Sequence, residues 1–409
     1  MIRSVAYLSM HTSPLLQPGW GDAGGMNVYV DELAATMAGE GVEVAVYTRA
    51  DREDLPPVVD VPSGYRVHHI AAGPRSPLPV RRLAGHVRRF ADGVIQAMDR
   101  SSSPDIIHSH YWLSGWAGLV IKRRMGVPLA NSFHTLGRVK DLTRRSDEPP
   151  ESLLRIAAEH EVIDGSDCVV ASTPLEAEDL MEHYGADPTR LCTSPPGVDH
   201  RLFAPGSRTE ARRLVGLPEA PTVLFVGRIQ PLKGVDVVVE AFARLRTVVA
   251  DARLVIVGGP SGPSGEREMS ALRARIRRLG LQTVVEVRPP VPHARLVDLY
   301  RSADVLVLPS RSESFGLVAA EAQACGVPVV ASNIGGLIHV VSHGRSGLLV
   351  DGWDPADQAA AVGRVLLDER LAAELSRGAV EWPERFSWEA TAERFLELYG
   401  GAIERALVE

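Results

Sequence analysis

Arg311-Ser-Glu313-Ser-Phe315-Gly316-Leu-Val-Ala-Ala-Glu321-Ala-Gln-Ala-Cys325-Gly326-Val-Pro328 stands between a short apolar run, residues 305–308, and a glycine-proline break. The order strand, polar loop, glycine, helix predicts a seat for a phosphate anion. The alanine-rich run 317–325 is read as a helix whose free N–H groups begin near Gly316, and 305–308 as a buried strand. Glu313 stands just before that helix, beside whatever the anion carries, and Glu321, eight residues on, reaches a different part of the same ligand. Taken alone, two glutamates at this spacing describe an ordinary surface helix. Their flanks give them meaning.

Outward from this stretch, short apolar runs alternate with amphipathic helical ones, which predicts parallel sheets covered by helices on both faces. The expected strands are 4–9, 42–48, 67–70, 105–109, 129–133, 168–171 and 191–193, then 222–226, 253–257, 284–287, 305–308, 327–331 and 347–350. Two doubly wound α/β domains follow, 1–200 and 201–386. Their seam lies in the proline- and glycine-rich stretch 195–219, which carries a short helix of its own. A last helix over 388–407 follows Ser387, its expected N-cap. The charged stretch 138–150, ending in two prolines, is read as a loop, and Ser101-Ser-Ser-Pro104 as a turn.

Composition narrows the function. A length of 409 residues suits two domains of about 200 each, and a hydrophobic content of 45% supplies full cores. The net charge of −7, with no strongly basic run, lacks a nucleic-acid footprint, so a small partner is expected. No stretch approaches the about 18 apolar residues of a membrane span, and the first apolar run is too short for a signal peptide, so a soluble protein is expected. Cys168, Cys192 and Cys325 show no paired or metal-ligand spacing, which fits a reducing cytoplasm without a disulfide framework. Of 44 basic residues only Lys122, Lys140 and Lys233 are lysine. In a chain that takes arginine wherever it will serve, a surviving lysine is a candidate for work that needs a compact ammonium.

Ligands of open parallel sheets gather at the C-terminal ends of strands. After the first strand come His11 and the loop Gly21-Asp22-Ala-Gly24-Gly25-Met26-Asn27, then a helix over 28–40; two glycines ahead of a helix let backbone approach an anion. No G-x-G-x-x-G fingerprint follows this strand. After 105–109 come His108-Ser-His110-Tyr111-Trp112. The two histidines are read as pointing to opposite faces with no carboxylate near, so no metal site is expected. The next strand ends in Phe133-His134-Thr135. After 222–226, Gly227-Arg228-Ile-Gln-Pro-Leu-Lys233-Gly234 puts two cations on one strand-to-helix loop, which suits a diphosphate clamp.

With these motifs in this order the chain resembles the retaining nucleotide-sugar glycosyltransferases of family 4, over nearly its whole length. Within that family it is most similar to the N-acetylglucosaminyltransferases that act on inositol 3-phosphate in mycothiol synthesis, with sucrose-phosphate synthases more distant. Met10-His11-Thr-Ser-Pro14, Gln17-Pro18, Gly21-Asp22, Gly24-Gly25-Met26-Asn27 and Ala71-Ala-Gly-Pro74 carry the likeness. The resemblance implies a GT-B fold: an acceptor-binding first domain and a nucleotide-sugar-binding second domain facing across a cleft, with residues 387–409 crossing back onto the first. It implies that Arg228 and Lys233 hold the donor diphosphate, helped by backbone N–H groups at Ser314, Phe315, Gly316 and Leu317, with Glu313 on the donor sugar and Glu321 on the ribose. His134 is expected against the donor sugar, with Gln17, Pro18, Gly24 and Gly25 nearby. His134, Arg228, Lys233 and Glu313 form the expected catalytic set. His11, Asp22, Asn27, Tyr111, Thr135 and Arg155 form the acceptor side. Front-face attack, the usual account of retention in this family, needs no protein nucleophile, and no cofactor or divalent metal is expected beyond the nucleotide sugar itself. Homodimers are common among such relatives.

Two positions depart from the pattern. The acceptor-phosphate lysine expected after Ala71-Ala-Gly-Pro74 is replaced by Val80, with Arg81 and Arg82 beside it, and Val291 stands where an arginine is usual near the base. An ordinary inositol 3-phosphate enzyme using UDP-N-acetylglucosamine is therefore weighed against a relative using a UDP- or GDP-sugar on an unphosphorylated cyclitol, aminocyclitol or thiol. A UDP-sugar epimerase, a glycoside hydrolase and a non-catalytic sugar-nucleotide sensor are the alternatives of other classes.

Overall fold

A computed structural model describes residues 2–98, 103–262 and 264–407. The turn expected at 101–104 lies outside the described residues except for its last two positions. The apolar runs become strands because helices cover both sheet faces. Every residue of Thr222–Val226 and Val305–Leu308 is buried, which suits their nearly continuous run of β-branched, leucine and aromatic side chains.

The first sheet has eight strands: β1 (Ser4–Leu8), β2 (Glu43–Arg49), β3 (Val58–Asp60), β4 (Arg66–Ile70), β5 (Ile106–His110), β6 (Leu129–Ser132), β7 (Cys168–Ala171) and β8 (Leu191–Thr193), in the order β3-β4-β2-β1-β5-β6-β7-β8. The second has six: β9 (Thr222–Val226), β10 (Arg253–Val257), β11 (Val285–Arg288), β12 (Val305–Leu308), β13 (Val329–Ser332) and β14 (Gly347–Val350), in the order β11-β10-β9-β12-β13-β14. All pairings are parallel except β3 with β4.

β3 was not anticipated: Val58-Val59-Asp60 is only three residues long and lies at the sheet edge, and a turn in which Val61 N–H donates to the Tyr65 carbonyl folds it back. The stretch 138–150, expected as a loop, opens with a helix, Gly137–Thr143. That helix is held from outside, by Arg138 N–H on the Tyr184 hydroxyl and by Asp141 accepting from Glu151 N–H. The prolines act only after it has ended.

Beyond the seam, the last helix, Trp388–Ala406, returns to the first sheet. Ser387 caps it, accepting from Ala390 N–H at 3.1 Å. Phe395 and Tyr399 are fully buried against β1 and β5, and the Tyr399 hydroxyl lies 2.7 Å from His108 Nδ1. No helix among the described residues is long and apolar enough to cross a membrane.

Candidate active site

Both sheets reverse their winding at the centre, between β1 and β5 in the first and between β9 and β12 in the second. The crevice outside the strand ends at such a point is where an α/β sheet presents a ligand site. In the second sheet the two loops concerned carry Arg228 and Lys233 after β9, and Glu313 after β12. They meet: Lys233 Nζ lies 2.5 Å from Glu313 Oε2, and Ser310 Oγ is 3.4 Å from the same oxygen. The helix Leu317–Ala324 begins just beyond, so its unpaired N–H groups share this corner with both cations. Phe315 packs its ring inward, 5.2 Å from that of Phe386, leaving only its backbone for a ligand.

Glu321 occupies a separate niche. His293 Nε2 is 2.7 Å from its Oε1, and the buried Tyr300 hydroxyl donates to Oε2 at 2.8 Å. Burial works against the His293 cation, but Glu321 prevails and raises its pKa above histidine's usual value. Neither partner was singled out from the sequence, where a histidine directly after Pro292 carries no signal. Gly336 was also missed: its N–H donates to the Glu313 carbonyl at 2.7 Å, and a Cβ there would fall 2.3 Å from Phe315 Cα. Only a glycine lets this turn brace the Glu313 loop from beneath.

Across the cleft, two non-glycine residues at strand ends adopt positive φ, Tyr111 at 76° and His134 at 59°. Strained backbone of this kind persists where surrounding structure dictates it, typically at functional sites. His134 Nε2 lies 3.1 Å from His110 Nδ1, and its carbonyl accepts from Ser314 Oγ of the other domain at 2.5 Å. The reading of His108 and His110 on opposite faces is corrected: their ring centroids are 4.2 Å apart, because residues two apart on a strand share a face. Burial draws the His134 pKa down to about 3. His11 falls to about 3 as well, through burial first and then through His134, Arg228 and Arg155. Its ring lies 4.4 Å from that of Tyr111, and its buried Nδ1 has no hydrogen-bond partner among the described residues.

Arg155, 3% exposed, forms the floor of the first-domain side. Its Nη2 donates to the Thr135 carbonyl at 2.9 Å and to Thr135 Oγ1 at 3.1 Å, its Nε to Glu159 at 2.7 Å, and its guanidinium lies 5.2 Å over the Tyr111 ring. Tyr111, Thr135 and Arg155, far apart in sequence, are thus one cluster. Val80 opens a short helix packed on the first-domain core, and Arg81 and Arg82 are exposed, with no ion pair among the described residues.

The remaining expected residues line the loop after β1. Gln17 Nε2 donates to the Pro290 carbonyl across the cleft at 3.2 Å, with Pro18 half-buried beside it. The Asp22 carbonyl is 3.4 Å from Arg228 Nη1. A Cβ on Gly24 would stand 3.1 Å from Arg228 Nε, so this glycine lets the second-domain arginine come close, while a Cβ on Gly25 would make only an ordinary contact with Leu317 Cδ1 at 3.7 Å. Asn27 is engaged within the loop itself. Both its amide N–H groups are spent on Thr12 Oγ1 and the Ser13 carbonyl, and its Oδ1 accepts from Gly24 N–H. At 1% exposure it shapes the loop and offers nothing to a ligand.

Chemically, the cleft joins two arginine-centred clusters, Arg228 with Lys233 in the second domain and Arg155, paired with Glu159 and Glu151, in the first, with the neutral imidazoles of His11 and His134 close by. Such an arrangement can stabilise charge developing on a leaving diphosphate while it orients a second polar molecule opposite.

Comparison with known proteins gives the family and the fold. The family model described as "Glycosyl transferase 4-like domain" matches residues 24–197, and "Glycosyl transferases group 1" matches 207–382. The chain is 49% identical to D-inositol 3-phosphate glycosyltransferase 2 of Catenulispora acidiphila, over 98% of this chain and 96% of that protein. It is 48% identical to the D-inositol 3-phosphate glycosyltransferase of Acidothermus cellulolyticus, over 98% and 91%. Sucrose-phosphate synthase from Thermosynechococcus elongatus superposes with a TM-score of 0.90 at 30% identity, covering 97% of this chain and 98% of that one. Anabaena HepE, solved with UDP and glucose, shares the fold at a TM-score of 0.76 and 19% identity, over 97% and 98%.

Proposed function

The chain belongs to the group 1, family 4-like glycosyltransferases of GT-B fold, and on that premise we propose that it moves N-acetylglucosamine from UDP-N-acetylglucosamine to inositol 3-phosphate with retention of configuration. The observation that carries the acceptor assignment is the second cation site: Arg155, buried against Thr135 and Tyr111, stands across the cleft from Arg228 and Lys233. A donor diphosphate needs one such site, and a phosphorylated acceptor needs the other. The names of the relatives at 49% and 48% identity support the same acceptor.

In this reading the anomeric C–O bond breaks first, leaving negative charge on the diphosphate and positive charge on the sugar ring. Arg228, Lys233 and the N-terminus of Leu317–Ala324 stabilise the former. The acceptor hydroxyl attacks from the same face, and the leaving phosphate oxygen takes its proton. His11 and His134, with pKa values of about 3, are neutral at physiological pH and serve as hydrogen-bond partners. The two fixed cations carry the electrostatic load, so no cofactor and no divalent ion is assigned.

The test is nucleotide release from UDP-N-acetylglucosamine with inositol 3-phosphate, with inositol and with no acceptor. Turnover that depends on the phosphorylated acceptor is expected. Preference for inositol or another unphosphorylated acceptor would assign the chain to specialised metabolism, and release without any acceptor would make it a hydrolase or epimerase.

A further inference from the structure

Lys140 is one of only three lysines in the chain. Lys233 faces the donor corner, and Lys122 ties down the chain near β7, donating to Asp167 at 2.7 Å and to the Gly165 carbonyl at 3.0 Å. Lys140 does neither. It lies on the helix Gly137–Thr143, which leaves the end of β6 just past His134 and Thr135, and its ammonium is paired with Glu151 Oε1. That same oxygen is 3.1 Å from Arg155 Nη1. One carboxylate oxygen therefore bridges an ammonium and the guanidinium that holds Thr135 and Tyr111. A phosphate oxygen takes this position when two such cations share it.

Burial separates the fixed part of this arrangement from the movable part. The Arg155 side chain is 4% exposed, whereas those of Lys140 and Glu151 are 29% and 23% exposed. Arg155 is thus set in the floor, and Glu151 stands at the rim, where its carboxylate can turn into water. Charge balance points the same way. Glu159 already neutralises one arm of Arg155 at 2.7 Å. With Glu151 in place, two cations face two carboxylates and nothing is left to attract a dianion. With Glu151 turned out, one positive charge is in excess. Burial would raise the Glu151 carboxyl, but Arg155 and Lys140 hold it below the usual carboxylate range, so it is ionised and bound to them in the empty pocket. The position where a lysine was expected holds Val80, and the exposed Arg81 and Arg82 make no ion pair among the described residues.

We propose that Lys140 is the second cation of the acceptor-phosphate pocket, standing in for the charge absent at Val80, and that Glu151 holds the phosphate's place until the acceptor displaces it. The inference rests on the phosphorylated-acceptor reading above.

The full-length enzyme is assayed at saturating UDP-N-acetylglucosamine with inositol 3-phosphate and with inositol. Lys140→Gln is expected to raise KM for inositol 3-phosphate on the order of tenfold and KM for inositol much less, with Lys140→Arg recovering most of the loss. Glu151→Gln is expected to lower KM for inositol 3-phosphate severalfold and to make inorganic phosphate a stronger competitor against it. A wild type that prefers the phosphorylated acceptor while Lys140→Gln leaves its KM unchanged overturns the inference alone. A wild type with no such preference overturns the reading beneath it, and the inference with it. Equal losses on both acceptors reduce Lys140 to a structural role and also overturn it.

Discussion

At the scale of single residues, the two glutamates of the opening stretch separate by their partners. Glu313 shares a corner with Lys233, and Glu321 is held by His293 and Tyr300. Truncating Glu321 to alanine would leave the buried Tyr300 hydroxyl unpaired, at a cost of about 1–3 kcal/mol, so glutamine is the cleaner probe. Glu321→Gln is expected to raise donor KM roughly tenfold with little change in kcat, and Glu313→Gln to lower kcat roughly 100-fold with donor KM nearly constant. Steady-state kinetics with the donor varied checks both, and equal small effects on the two would contradict the assignment. His293 adds a pH signature. Because Glu321 raises its pKa against the opposing effect of burial, the stability from this pair is fully present below histidine's ordinary value of about 6.5 and is lost as pH rises through the raised value. The Tm deficit of His293→Gln relative to wild type should therefore be larger at pH 6 than at pH 9; a deficit that grows with pH contradicts the pairing. The glutamates, Arg228 and Lys233 were legible because their residue types are tied to anion and hydroxyl recognition. His293 and Tyr300 were not, since they reach Glu321 only through the fold.

At the scale of elements, alternating apolar and amphipathic runs were legible because a strand buried on both faces has no polar positions, as in Val305–Leu308. The elements that escaped depend on distant support. β3 is an edge strand paired on one side, and Gly137–Thr143 is fixed by Tyr184 and Glu151. The histidine pair was misread through the strand period itself, and the structure turns both rings inward, with His108 tied to the last helix by Tyr399. That helix makes an element-scale prediction. Ser387 satisfies its first turn, so Ser387→Ala should lower stability by about 1 kcal/mol, measured by urea unfolding, with kcat unchanged. A loss below about 0.3 kcal/mol would show that the helix is held by packing alone.

At the scale of the whole molecule, each domain is incomplete as a site. The cleft is closed by contacts that cross it: Ser314 to the His134 carbonyl, Gln17 to the Pro290 carbonyl, Arg228 to the Asp22 carbonyl, and Arg145 to Glu268 through two hydrogen bonds of 2.8 and 3.2 Å. Arg228 and Lys233, the proposed donor cations, thereby share one cleft with the Arg155 cluster, a juxtaposition that sequence shows only as motifs in order along a chain. Transfer between two bound anions is the function proposed for this closed arrangement, and the stereochemistry of the product reports on it directly. Nuclear magnetic resonance of the product formed from UDP-N-acetylglucosamine and inositol 3-phosphate should show a new glycosidic bond to the inositol ring with the α configuration of the donor retained. A β-linked product, or free N-acetylglucosamine with the inositol phosphate unchanged, would contradict it.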